Sequence, residues 1–295
     1  MRRFVSIVRA TALEILSEPL SLLVLLAALA LAVFAPAFHY HQFGEATRMA
    51  RDAGCSALFI CGSVIAVFGT VRAFRREIES GTMAMALAHP VSRGGFFLSK
   101  VVGAFVAYLA LALVVVNTAG IVFVGAAVGG ALAQHSGDIA RLYGPCLAGG
   151  VAILVLPLVI AAVLNRFARF RFVLSSYLLA LAFSSAGLVV VAVASGGYVF
   201  RLLPVVLLIV MPAAVLLTAS AAFAMRLKAN AAVSAAALVF VLALPAVGNY
   251  YMADALSNGG TVPWGYVCLA MLAALPLIAA FLLLGVHFIK ERDIQ

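Results

Sequence analysis

Eight stretches of this chain, 20–38, 55–71, 101–128, 144–164, 172–194, 202–225, 231–249 and 264–287, contain no Asp, Glu, Lys or Arg. A helix needs about 20 mostly apolar residues to cross a bilayer, and each charge at its centre costs about 2.5–3.5 kcal/mol. The pattern predicts an all-α polytopic membrane protein with about eight transmembrane helices. Composition agrees: 66% of the 295 residues are hydrophobic and 10% are charged, against about 25% charged in soluble domains. An aqueous globular fold is excluded. Pro157, Pro212, Pro245 and Pro276 fall inside spans, where neighbouring helices can satisfy the carbonyls that proline leaves free.

The net charge of +9 does not indicate a nucleic-acid partner, because the cations gather at span ends as the positive-inside rule requires. With the N-terminus inside, only Arg48, Arg51, Arg141 and Arg201 of the nineteen Lys and Arg residues lie outside. Both termini are therefore expected in the cytoplasm, with the protein in the cell (inner) membrane. Residues 1–19 place Phe4, Val8, Ala12 and Ile15 at helical spacing, predicting an amphipathic helix in the membrane interface. Arg9, Glu14 and Glu18 interrupt any signal-peptide-like apolar run there. Residues 20–287 form the transmembrane domain and 288–295 a cytoplasmic tail. Val101 to Gly137 is long for one crossing. Two crossings would put Arg166, Arg169 and Arg171 outside, so one crossing followed by an interfacial stretch is expected.

Charge is dense only between Arg72 and Lys100, a water-facing loop (72–100) between the second and third spans. Residues 72–79 continue the second span, with Arg75 and Glu79 four apart, a spacing that allows an ion pair, and Glu77 on another face. Gly81 permits a turn, and Ser80 or Thr82 can cap a new short helix. That helix holds Met83, Met85 and Leu87 and is halted by Pro90, since a residue preceding proline avoids helical geometry. Alone it is marginal, and its Met and Leu side chains suit a partner groove; packing beneath its own bundle is the plainer use of the same residues.

The ordered series Glu77 and Glu79, Ser80-Gly81-Thr82, Leu87, Pro90-Val91-Ser92-Arg93 and Lys100 resembles the corresponding loop of ABC-2 type permeases, the transmembrane subunits of ATP-binding cassette exporters. The tail from His287 to Ile294 is similar to theirs as well. The resemblance implies that 72–100 carries a coupling helix that docks an ABC ATPase subunit, with Arg76, Glu77, Glu79, Ser80, Gly81, Thr82, Leu87, Pro90, Val91, Ser92, Arg93 and Lys100 as the docking residues. It implies a homodimer, or a heterodimer with a sister permease, embedded in membrane lipid. Members often have six spans, and Met83-Ala84-Met85-Ala86 is less leucine-rich than is usual among them.

Other chemistries find little support. Ser99, Leu227 and Ile289 precede the three lysines, so there is no Gly-Lys-Ser/Thr phosphate loop. A non-catalytic permease subunit without cofactor or metal is expected, with ATP hydrolysed by the partner. His39 and His41 stand two apart, unsuited to a complete metal site, and the four cysteines have no metal spacing. An ion-coupled secondary transporter normally carries ionisable groups at mid-membrane, and no span holds Asp, Glu, Lys or Arg. A membrane-embedded enzyme or assembly factor would need converging acid, base or metal groups. Substrate chemistry is barely written: Tyr108, Asn117, Ser176, Ser184 and Ser185 are weakly polar, and helix–helix hydrogen bonding accounts for them.

Overall fold

The computed structural model describes residues 2–34, 46–81, 83, 92–136, 139–247 and 262–291. Among them there is no strand, and helices account for nearly all. In chain order these are α1 (Arg2–Leu16), α2 (Pro19–Phe34), α3 (Ala46–Val64), a π turn (Ile65–Gly69), α4 (Thr70–Glu79), α5 (Arg93–Ser136), α6 (Ile139–Ala168), α7 (Phe172–Ala194), a 3-10 turn (Tyr198–Leu202), α8 (Leu203–Arg226), α9 (Ala229–Val247) and α10 (Trp264–Glu291).

Six of the helical runs are long and apolar enough to cross a membrane: Thr47–Glu79, Arg93–Ala127, Ala148–Ala168, Phe172–Ala194, Tyr198–Arg226 and Trp264–Glu291. The remaining two expected crossings are α2, 16 residues long and joined to α1 by a 66° bend, and α9, whose described apolar part is shorter. Pro212 and Pro276 sit within α8 and α10 without ending them.

The stretch after Val101 holds one candidate crossing, as expected, within Arg93–Ala127. The helix itself runs unbroken for 44 residues, about 66 Å at 1.5 Å per residue. No proline occurs between Arg93 and Ser136, so nothing removes a backbone donor. Gly120 is explained by proximity: a Cβ there would meet Val199 at 2.7 Å and Leu188 at 3.1 Å.

The chain divides into two compact units. One comprises residues 1–15, 63–109 and 207–295. In it α1 turns Ala12 and Ile15 of the expected apolar face inward, together with the polar Thr11, while Phe4 of that face and Val5 stay exposed. A Cβ on Gly103 would lie 2.7 Å from the Val8 carbonyl oxygen, which makes glycine a condition of the α1–α5 contact. The other unit comprises residues 16–62 and 110–206. There α6 and α7 form an antiparallel hairpin with α2 packed against it. Val33, Ala50, Val122 and Ala126 make a buried cluster. Asn117 Nδ2 donates to Ser185 Oγ at 3.1 Å and Ser184 Oγ at 3.5 Å, and the Tyr177 hydroxyl accepts from Ser21 at 3.5 Å. These weakly polar residues join helix to helix, as read from sequence.

Candidate functional site

The charge-dense loop emerges from two helical stumps in the first unit, α4 on one side and the start of α5 on the other. Arg75 and Glu79 pair along α4 as their spacing predicts, with Nη2 2.8 Å from Oε1. Ser80 is the C-cap, its N–H donating to the Arg76 carbonyl at 2.9 Å. Gly81 follows at φ +72°, in the left-handed region that glycine enters without penalty. The cap expected of Ser80 on a new helix is thus a cap on the old one. Across the loop, Ser92 caps α5: Gly95 N–H donates to its Oγ at 3.1 Å. That satisfies one donor left unpaired at a helix start.

Lys100 is the centre of the arrangement. It is 1% exposed, its Nζ 2.8 Å from Glu77 Oε1, and it donates to the Ala73 carbonyl at 2.9 Å. The Phe74 and Phe96 rings lie 5.2 and 6.0 Å from the ammonium, a distance at which the ring face attracts a cation. Lys100 therefore clamps α5 to α4 from inside. Phe74 packs on Phe97 with centroids 5.6 Å apart.

Two further elements join the clamp. Arg93 Nη1 donates to the Lys290 carbonyl of α10 at 3.0 Å. Gly285 sits beneath the Phe97 ring so closely that an added Cβ would fall 2.1 Å from Cζ. From α1, Glu14 approaches Arg76 at 3.7 Å. The end of α10 is itself tied to α8: Arg226 lies 3.9 Å from Glu291 and its guanidinium 5.2 Å over Phe288.

The sequence-derived docking residues thus fall into three groups. Glu77, Ser92, Arg93 and Lys100 brace the stumps, Lys100 and Glu77 from inside and the exposed Ser92 and Arg93 through a helix cap and a bond to α10. Arg76, Glu79, Ser80 and Gly81 are solvent-facing at the end of α4, with Arg76 and Glu79 side chains 68% and 61% exposed. Thr82, Leu87, Pro90 and Val91 lie outside the described residues; Met83 is helical and buried. Glu14, Gly285 and the Lys290 carbonyl were not foreseen, since no local spacing links them to the loop. Together the bracing groups can hold the two ends of the loop on four helices, α1, α4, α5 and α10.

A family model described as ABC-2 family transporter protein matches residues 17–187, more than half of the chain and the whole of 72–100. No curated protein and no solved structure matches.

Proposed function

The chain belongs to the ABC-2 family of transporter proteins, and on that premise we propose that it is the permease subunit of an ATP-driven exporter. It is a multi-pass membrane protein. In this reading all eight apolar helices cross the cell (inner) membrane and both termini are cytoplasmic. The segment 82–91 is a coupling helix that enters a cleft of a separate ABC ATPase, and two permeases, identical or sister, enclose the path.

What supports the reading is the bracing on either side of that segment. A loop that served only as a connection would need no buried Lys100–Glu77 pair, no Arg93 bond to α10 and no glycine fitted beneath Phe97. Closure of an ATPase on 82–91 would move α4, α5, α10 and α1 together. Arg76 and Glu79 present opposite charges toward such a partner.

The test is co-purification of the ATPase with the full-length permease, and ATP-dependent transport after reconstitution. Leu87→Glu and Glu79→Lys are each expected to cost most of the bound ATPase while leaving thermal stability near wild type. If both variants keep full ATPase binding and transport, docking through this loop is wrong.

A further inference from the structure

A second cationic feature lies in the other unit, where the hairpin of α6 and α7 turns at Asn165-Arg-Phe-Ala-Arg-Phe-Arg171. All seven residues are exposed. Phe167 is 84% and Phe170 58% exposed, so two aromatic rings stand beside the three arginines with little cover from the protein. Among the described residues Arg166, Arg169 and Arg171 make no ion pair, and no Asp or Glu occurs between Asp138 and Asp254.

The turn is nonetheless built. Asn165 Nδ2 donates to the Phe170 carbonyl at 2.6 Å, and the Arg171 carbonyl accepts from Ser175 N–H and Oγ at 3.0 and 2.9 Å. Arg169 stands at φ +56°, where a side chain is strained and glycine would rest easily. A cation is kept at a position whose backbone favours its absence, and such strain gathers at functional sites.

We infer that this tip is a binding site for anionic phospholipid headgroups of the leaflet it faces. Guanidinium forks match phosphate oxygens in pairs, and a negatively charged leaflet attracts such a cluster by about fivefold per cation. Phe167 and Phe170, interleaved with the arginines, enter the acyl boundary. The apolar exposure continues along the hairpin through Val163, 49% exposed, so the tip adjoins a surface suited to lipid and not a separate aqueous face. A protein partner would need acids and an apolar groove side by side to match this tip, whereas the boundary of an anionic leaflet offers phosphate and acyl chain together. The inference rests on the inward orientation of the proposed function; it does not depend on an ATPase.

Phe167→Trp in a Trp264→Phe background gives the tip the only indole of the chain. The full-length protein is reconstituted in nanodiscs of brominated phosphatidylglycerol diluted in plain phosphatidylcholine, or the reverse pairing at equal bromine content. Stronger quenching by the brominated anionic lipid is expected, by severalfold at low mole fraction. Replacing Arg166, Arg169 and Arg171 by Gln should abolish the preference, and replacing them by Lys should restore most of it. That restoration separates lost charge from lost folding. Equal quenching by both lipids overturns the inference, as does absence of quenching, which would place the tip in water as a protein-docking face. Impermeant thiol labelling of Phe167→Cys in a cysteine-free background reports sidedness separately. Outward labelling would overturn the orientation in the proposed function along with this site; inward labelling without lipid preference would overturn this site alone.

Discussion

The stalk around Lys100 and the tip of the α6–α7 hairpin are both rich in arginine or lysine and phenylalanine, yet they use them in opposite ways. In the stalk the ammonium is enclosed, paired with Glu77 and faced by two rings. At the tip three guanidiniums and two rings point away from the protein. The difference lies in the acids. Glu14, Glu77 and Glu79 accompany the stalk cations, whereas the hairpin has none. Lys100, with Glu77 against it, is tied into the structure; the tip arginines, with no acid close by along their hairpin, stay on the surface. Substitutions should therefore destabilise at the stalk and be nearly neutral, or favourable, at the tip.

The largest effect expected is at Glu77. Glu77→Gln leaves the buried Lys100 ammonium with neutral oxygens only, the Ala73 carbonyl and the new amide, and an uncompensated buried charge costs about 3–5 kcal/mol. Lys100→Met should cost less, because Glu77 is 27% exposed and can turn to water. The double variant should recover part of the Glu77→Gln loss, since it removes the unpaired ammonium. Thermal unfolding of the purified protein in detergent, read as a double-mutant cycle, measures this. Additive losses would mean that the pair is not a clamp. Arg166→Gln, the matching change at the tip, should stay within about 0.5 kcal/mol of wild type.

Packing sharpens the same contrast. Gly285→Ala would drive a methyl into the buried Phe97 ring, and overpacking of this kind costs about 1–3 kcal/mol. Phe97→Leu in the same chain should relieve part of it. At Gly187, inside the hairpin, the nearest atom to an added Cβ is the flexible end of Ile121 at 2.8 Å, so Gly187→Ala should cost less than Gly285→Ala. Equal losses at the two glycines, again by thermal unfolding, would break the comparison.

How much of this could be read without coordinates depended on distance along the chain. The Arg75–Glu79 pair and the Gly81 turn follow from spacing within one or two helical turns, and both appear as read. α1 was legible as a helix because its period is local. Lys100 was singled out as a docking residue, but only packing reveals that it is enclosed by Phe74 and Phe96. Glu14, the Lys290 carbonyl and Gly285 reach the stalk from the far ends of the chain, and one sequence holds no measure of such proximity. The single crossing in α5 was legible from charge, but not why Gly120 stands in it: Val199 and Leu188 come close there. The segment 84–91, on which most of the docking reading rests, lies outside the described residues.

The smallest effect expected is the most discriminating, because its sign is opposite. Arg169 occupies φ +56°, which costs an L-residue about 1–2 kcal/mol relative to its preferred backbone. Glycine accepts that geometry, though its freer unfolded chain returns roughly 0.5–1 kcal/mol. Arg169→Gly should therefore leave stability unchanged or raise it by up to about 1 kcal/mol, while weakening the preference for anionic lipid. No single charge removal in the stalk should do that. Thermal unfolding beside the bromine-quenching measurement on the same preparation decides it. A stabilised protein that has lost lipid preference means the strained arginine is kept for what it binds; a destabilised one means that Arg169 holds the turn together and the tip, like the stalk, is structure.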